Sequence, residues 1–111
     1  MQHTIIKNAN IVNEGLIIQG DLLISNDRIE KIGGSIDIKA RATEIDGTGL
    51  HVLPGVIDDQ VHFREPGLTH KANIYTEAKA AVAGGTTSFM EMPNTSPAAL
   101  TVNLLEQKYS R

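Results

Sequence analysis

Cysteine is absent from the sequence of 111 residues, which excludes a disulfide framework and a thiolate metal site. A basic excess is also missing: 10 Lys and Arg stand against 13 Asp and Glu, for a net charge of −3. The charge therefore offers no electrostatic footprint for nucleic acid. No apolar run approaches the roughly 20 residues of a membrane span. The start, MQHTIIKNANIVNEG, lacks the basic and apolar regions of a signal peptide. We expect a cytoplasmic globular chain that binds neither nucleic acid nor membrane, with a length that allows at most one ordinary domain.

The first half of the chain has the pattern of short strands separated by turn residues. TIIKNANIVN predicts one strand, or two pieces broken near Asn8. GDLLISNDRIEKIGG predicts a hairpin with Asn26-Asp27 at its turn. Ile36 and Ile38 alternate as in a further strand, and Asp46-Gly47 predicts another turn. Together these segments predict a small antiparallel sheet with a thin core.

After Pro54-Gly55 the pattern changes to alternating strands and helices. VIDDQVHF predicts a strand, and Asn73 is a suitable N-cap for a helix that ends at Gly84 or Gly85. TTSFMEMPN predicts a second strand stopped by Pro93, and LTVNLLEQKY predicts a second helix. This order is typical of a parallel sheet built from βαβ units. Two such strands leave apolar faces and edges open, so we expect the segment to open a longer chain.

The first of these strands ends in a polar alternation. Successive side chains of an extended strand point to opposite faces, so four polar residues are predicted to share one face: Asp58, Gln60, His62 and Arg64. In parallel α/β folds, ligands bind at the carboxyl ends of the strands. His62 and Arg64 lie at that end of the first strand and Asn94 at that end of the second. We therefore expect these three polar side chains to converge on one cavity.

Each candidate also has an ordinary interpretation. A lone histidine such as His62 is more often a satisfied polar residue than a metal ligand. Arg64 fits a surface ion pair as well as a bidentate clamp on a carboxylate. Asn94 fits a turn as well as a substrate-facing amide, and Asp58 fits an internal hydrogen-bonding partner as well as support for a metal ligand. The spacing of the remaining histidines carries no signal: His3, His51 and His70.

Two motifs carry a family resemblance. PGVIDDQVHFREPG followed by AGGTTSFMEMPNTSP resembles the opening of a dihydroorotase of the amidohydrolase superfamily, most strongly over residues 52–97. The usual forms in that family are Asp-x-His-x-His on the first barrel strand, then Arg-Glu-Pro-Gly, and Met-Pro-Asn-Thr after the second strand. Hydantoinases and allantoinases share the aspartate-histidine strand but less often combine it with both other motifs.

The resemblance implies a fold and an activity. The fold is a (β/α)8 TIM barrel with a small β-sandwich, in which residues 1–52 form the N-terminal part of the sandwich and residues 53–111 the incomplete start of the metal-dependent barrel. The activity is the zinc-dependent interconversion of dihydroorotate and N-carbamoyl-L-aspartate, a cyclic amide hydrolysis in pyrimidine biosynthesis. His62 is then a zinc ligand that also lies against the substrate, and Arg64 and Asn94 hold the carboxylate of the substrate. The catalytic acid-base and the other ligands are expected beyond Arg111, and homo-oligomerisation is left open.

Gln60 departs from the family, which has histidine at this position. An amide oxygen is a poorer zinc ligand than imidazole, and three interpretations follow. The site binds zinc with an oxygen ligand or one ligand fewer, or it binds one ion where relatives hold two. Alternatively the protein is an inactive scaffold that partners an enzyme such as aspartate transcarbamoylase. Because His62, Arg64 and Asn94 are all kept, we favour an active zinc enzyme.

Overall fold

The computed structural model describes residues 1–110. The chain divides into two compact units, Met1–Pro54 and a second unit that begins at Gly55.

The first unit is a five-stranded sheet. Its strands are β1 (His3–Asn13), β2 (Leu16–Ser25), β3 (Arg28–Ile32), β4 (Ala42–Asp46) and β5 (His51–Val52). The hairpins β1–β2 and β2–β3 are antiparallel, as predicted. However, β4 and β5 both pair with β1 in parallel. The expectation of a purely antiparallel sheet is therefore wrong, because the chain passes from β3 to the far side of β1 before it pairs again.

The segment around Ile36 is not a strand, although its alternation predicts one. Ile36 is 3% exposed and packs with Ile5 and Leu23 in the core of this unit. Its backbone N–H donates to the Asp21 carboxylate at 2.8 Å instead of to a neighbouring strand. The alternation therefore reflects packing of Ile36 and Ile38 against the core and not pairing of the backbone.

Asp21 is a buried carboxylate of the first unit that accepts three hydrogen bonds. It is 4% exposed, and it accepts hydrogen bonds from the Lys7 Nζ at 2.7 Å and the Asn8 N–H at 2.8 Å, in addition to that from Ile36. The backbone hydrogen bond from Ile36, followed by the hydrogen bond from Lys7, lowers the pKa of Asp21 to about 2 although burial opposes the shift. Asn8 has a φ of 60° and lies where the β1–β2 register shifts. The predicted break near Asn8 is thus a bulge within one continuous strand.

The second unit follows the predicted order of strand, helix, strand and helix. These elements are β6 (Val56–Val61), α1 (Ile74–Ala83), β7 (Thr86–Glu91) and α2 (Val102–Tyr109). β6 and β7 pair in parallel. α1 begins after Asn73, whose side chain accepts from the Thr76 N–H in a capping box, and Gly84 is its C-cap. The predicted parallel pairing of the two strands and the predicted start and end of α1 are confirmed.

Apolar side chains remain exposed on this two-stranded sheet. Ile57 is 67% exposed, Met90 60% and Val56 55%, and no side chain of α1 or α2 is buried. Strands of parallel sheets normally bury both faces between layers. The pattern of these two strands is therefore that of strands covered on both sides.

Neither helix in residues 1–110 has the length and apolar character that crossing a lipid bilayer requires.

Candidate functional site

Exposed and buried side chains alternate from Gln60 to Phe63, after the register of β6 has shifted between Asp58 and Val61. Val61 and Phe63 are buried, at 8% and 6% exposure, while Gln60 and His62 are exposed. Arg64, however, has a φ of 69°, and its carbonyl accepts from the Leu68 N–H at 3.0 Å. The backbone therefore turns at Arg64, and the expectation that the pleat extends through this residue is wrong. Local turn formation overrides the strand pattern here.

His62 and Asn94 meet at the carboxyl ends of the two parallel strands. The His62 Nδ1 lies 3.0 Å from the Asn94 Oδ1. In the tautomer with the hydrogen on Nδ1, the Asn94 oxygen accepts it and Nε2 keeps the lone pair with which imidazole ligates a metal. The sequence placed these residues 32 positions apart on separate strands. The structure brings them into direct contact.

Arg64 and Gln60 make fewer polar side-chain contacts than His62 and Asn94. Within residues 1–110, the side chains of Arg64 and Gln60 form no hydrogen bond and no ion pair. The Gln60 backbone N–H donates to the Asp58 Oδ1 at 3.1 Å, so Asp58 acts as a hydrogen-bonding partner inside its own strand. In the described part of the chain no three His, Asp or Glu residues cluster as a metal site would require.

The loops that follow the two strands lie against each other. The Ser96 N–H donates to the Pro66 carbonyl at 3.0 Å. A Cβ on Gly67 would lie 2.0 Å from the Ser96 carbonyl oxygen, and Gly67 has a φ of 82°. Only glycine fits such an approach of two backbones. The Arg-Glu-Pro-Gly motif therefore contacts, through the backbone, the residue that directly follows Met-Pro-Asn-Thr.

Two carboxylates that sequence reasoning did not single out support these loops. The Glu65 Oε2 accepts from the Ile74 N–H at 2.9 Å, which ties the first loop to the start of α1. The Glu91 Oε1 accepts from the Phe63 N–H at 3.0 Å, and its Oε2 binds Lys108. Glu91 offers a sequence signal, since a charged residue stands between the apolar Met90 and Met92 of a strand. Glu65 offers none, because its partner lies nine residues away in an irregular loop.

A cleft of about 510 Å³ lies beside α1, away from His62, Arg64 and Asn94. Its lining residues are Glu65, Pro66, Ile74, Tyr75, Ala78 and Lys108. Its two charged side chains already have partners, because Glu65 binds the start of α1 and Lys108 binds Glu91. The candidate site is therefore at the strand ends and not in this cleft.

Known proteins with similar sequences are dihydroorotases. The family model described as dihydro-orotase-like matches residues 49–111. The dihydroorotase of Ligilactobacillus salivarius is 42% identical over 110 residues, which are 97% of this chain and 26% of the relative. That of Streptococcus thermophilus is 48% identical over 95 residues, 84% of this chain and 22% of the relative. The chain thus spans about a quarter of the length of these curated relatives.

Solved structures with a similar fold include those of hydantoinases. The L-hydantoinase (dihydropyrimidinase) of Arthrobacter aurescens superposes with a TM-score of 0.86 at 31% identity, covering 98% of this chain and 25% of that one. The dihydropyrimidinase of Brevibacillus agri gives a TM-score of 0.80 at 32% identity, covering 98% and 24%. Both sets of relatives act within one group of cyclic amidohydrolases. With the family model matching more than half of its residues, the chain belongs to the dihydroorotase-like family of amidohydrolases.

Proposed function

We propose that the full-length protein is a cytoplasmic, zinc-dependent dihydroorotase that interconverts dihydroorotate and N-carbamoyl-L-aspartate in de novo pyrimidine synthesis. The observation that carries the proposal is the 3.0 Å contact between His62 and Asn94. It joins the two family motifs at the carboxyl ends of parallel strands, where α/β enzymes bind their ligands. The dihydroorotase relatives, at 42% and 48% identity, support the same activity.

The proposed fold extends the second unit into a barrel. In this proposal β6, α1, β7 and α2 are the first two units of a (β/α)8 barrel, and the strands of the first unit are the N-terminal part of a β-sandwich. The parallel β6–β7 pairing and the exposed Ile57 and Met90 support it, since barrel strands are covered by side chains inside and by helices outside. The catalytic acid-base and the remaining metal ligands would lie beyond Arg111.

Of the two candidate metal ligands on this strand, the His62 imidazole suits zinc well and the Gln60 amide suits it poorly. Structural and catalytic zinc sites use imidazole nitrogen, and the hydrogen bond from Nδ1 to Asn94 leaves the Nε2 of His62 as the ligating atom. Bound zinc supplies Lewis-acid chemistry, polarising an amide carbonyl and activating water at neutral pH. Gln60 adds only an amide oxygen, so we propose that this strand contributes one strong ligand where its relatives contribute two.

Asn94 is suited to two tasks at once. Its Oδ1 accepts from His62, and its Nδ2 group remains as a donor of two hydrogen bonds. A substrate carboxylate can then accept from the Asn94 amide and from the paired donors of the Arg64 guanidinium, whose fork matches a planar carboxylate. The same amide would orient the metal ligand and hold the substrate.

The test is a comparison of dihydroorotate, hydantoin and allantoin as substrates of the full-length protein. The proposal requires kcat/KM to be highest for dihydroorotate, the substrate that carries an exocyclic carboxylate for Arg64 and Asn94. Turnover of hydantoin in preference to dihydroorotate would contradict it.

Hydantoinase activity is the second candidate, favoured by the TM-score of 0.86 with the Arthrobacter aurescens enzyme. Hydantoin has no exocyclic carboxylate, so under this alternative a change at Arg64 would leave kcat/KM for hydantoin nearly unaltered. An inactive scaffold for a partner such as aspartate transcarbamoylase, suggested by Gln60, would turn over none of the three substrates.

A further inference from the structure

The hydrogen-bond ladder between β6 and β7 is interrupted one bond before the candidate site. The last regular bond runs from the Met92 N–H to the Val61 carbonyl at 3.0 Å. In a regular parallel ladder the next bond would run from the Phe63 N–H to the Met92 carbonyl. Instead the Phe63 N–H donates to the Glu91 Oε1 at 3.0 Å, and the Met92 carbonyl accepts from the Lys108 Nζ at 3.1 Å. Two side chains occupy the place of one backbone bond.

These two side chains are bonded to each other. The Lys108 Nζ forms an ion pair with the Glu91 Oε2. Their side chains are only 13% and 11% exposed, and each oxygen of Glu91 accepts one hydrogen bond. We call Glu91 and Lys108 the inserted pair, because they form a continuous bridge from Phe63 to Met92 where the strands would otherwise bond directly.

The inserted pair lies next to both residues of the candidate site. Phe63 directly follows His62, and Met92 lies two residues before Asn94. A regular ladder bond would draw the two backbones to the ordinary strand separation of about 4.8 Å. Here the Phe63 N–H and the Met92 carbonyl bond the inserted pair instead of each other, and in this arrangement His62 reaches Asn94 at 3.0 Å.

We infer that Glu91 and Lys108 are positioning residues that set the separation of the His62 and Asn94 segments for catalysis. The catalytic part of this inference rests on the proposed dihydroorotase function. Lys108 comes from α2, so the helix after the second strand also takes part in placing the end of the first. The competing interpretation is that the pair only anchors α2 to the sheet.

A double variant separates these interpretations. Glu91→Leu with Lys108→Met fills similar volume with apolar groups, and such replacements of buried ion pairs are often neutral or stabilising. The melting temperature of the full-length protein should therefore be retained. The kcat/KM for dihydroorotate should fall by at least about tenfold, since a misplacement of about 1 Å can cost on the order of 100-fold. A purely anchoring pair would leave kcat/KM unchanged at an unchanged melting temperature.

Single variants keep the test decisive if the double variant does not fold. Lys108→Arg retains a cation with several donors and should keep most of the activity, whereas Lys108→Met should lose it. A matched control replaces Lys79 with Met on α1 and Glu106 with Leu on α2. Both are exposed, and this pair of changes should leave kcat/KM as it is. Equal loss in Lys108→Arg and Lys108→Met would show that charge and hydrogen bonding at this position do not matter.

A crystal structure of the double variant supplies a measurement that needs no activity. The Phe63 N–H should then bond the Met92 carbonyl at about 2.9 Å, and the His62–Asn94 contact should be lost. If the wild type fails to turn over dihydroorotate, the proposed function fails while this structural result still decides the inference. A ladder that stays open without the pair, or one that closes while His62 and Asn94 keep their contact, would overturn it.

Discussion

Glu65 accepts a hydrogen bond at its Oε2 from the backbone N–H of Ile74, the first residue of α1, at 2.9 Å. The residue before Glu65 is Arg64, whose left-handed backbone is costly by roughly 1–3 kcal/mol for a non-glycine residue. On the other side, the Phe63 N–H is held by Glu91. Arg64 is thus strained between two neighbours that are each fixed by a carboxylate. The rigid neighbours hold the arginine in its unfavourable conformation.

Replacing Glu65 should therefore weaken both the fold and the site. Glu65→Ala leaves the Ile74 N–H without its partner at a helix N-terminus, where loss of a capping group costs about 1 kcal/mol. We expect the free energy of unfolding of the full-length protein to fall by that amount in urea titrations. The exposed Glu106→Ala on α2 is the matched control and should change it little. Equal effects of the two changes would refute a specific role for Glu65.

The backbone contact between the two loops can be tested at Gly67. Gly67→Ala introduces both a positive-φ alanine and a collision 2.0 Å from the Ser96 carbonyl oxygen. Gly85→Ala shares the first penalty, with a φ of 91°, but meets no atom within 4 Å. We expect Gly85→Ala to cost about 1–2 kcal/mol, and Gly67→Ala to cost at least about 1–3 kcal/mol more because the loops must separate. Denaturant titrations of the two variants measure this difference, which would vanish if the loops do not touch.

Arg64→Lys tests the carboxylate clamp. Lysine offers one point charge in place of two parallel donors. The kcat/KM for dihydroorotate should therefore fall, by an amount that corresponds to a loss of about 1.5–3 kcal/mol of transition-state stabilisation. The melting temperature should hardly change, since the Arg64 side chain forms no hydrogen bond or ion pair within residues 1–110. Arg28→Lys, on exposed β3, is the matched control. A large fall in melting temperature with unaltered kinetics would make Arg64 a structural residue.

Gln60→His tests the proposed metal site. It places imidazoles at Gln60 and His62, two residues apart at the end of one strand, and we expect higher zinc content after mild chelation, measured by elemental analysis. His62→Ala should lower the content. Gln19→His, at an exposed position of β2, controls for nonspecific binding by an added histidine. If zinc content responds to neither change, this strand does not build a metal site, and the scaffold alternative gains support.

The stability of the first unit should depend on pH through Asp21. Its pKa in the folded protein is about 2, lowered from 3.8 mainly by the hydrogen bond from Ile36 and then by Lys7. A carboxylate with a depressed pKa contributes stability that is fully present above pH 3.8 and is lost as pH falls towards 2. Asp21→Asn should remove this contribution and lower the free energy of unfolding by about 1.5–3 kcal/mol at pH 7. The exposed Asp37→Asn should leave both stability and its pH profile unaltered.

Local signals in the sequence were enough for several of these elements. Asn73 and Gly84 act on residues three or four positions away, so the limits of α1 could be predicted from them. The strand that precedes α1 and the one that follows it were similarly marked by apolar runs and by Pro93. The side of β1 on which β4 pairs depends on the path of the intervening loop, which no local pattern encodes.

The candidate site divides in the same way. The carboxyl ends of consecutive parallel strands are neighbours, so a meeting of His62 and Asn94 could be anticipated from order alone. The turn at Arg64 could not be anticipated in this way. Its left-handed backbone is held by contacts of the folded loop, among them the hydrogen bond from the Leu68 N–H to the Arg64 carbonyl. The bond between Glu91 and Lys108, which joins the end of a strand to a helix 17 residues later, could not be anticipated either. Such contacts depend on packing that spacing does not reveal.

The three hydrogen bonds to Asp21 span 13 to 15 residues of sequence. The Lys7 and Asn8 bonds can form once β1 and β2 have paired, whereas the Ile36 bond also requires the loop after β3 to close on them. The carboxylate would thus be desolvated late in folding, after the hairpin is in place. Late contacts of this kind govern how fast a protein unfolds more than how fast it folds. We therefore expect the loss of Asp21 to shorten the lifetime of the folded sheet more than it slows folding.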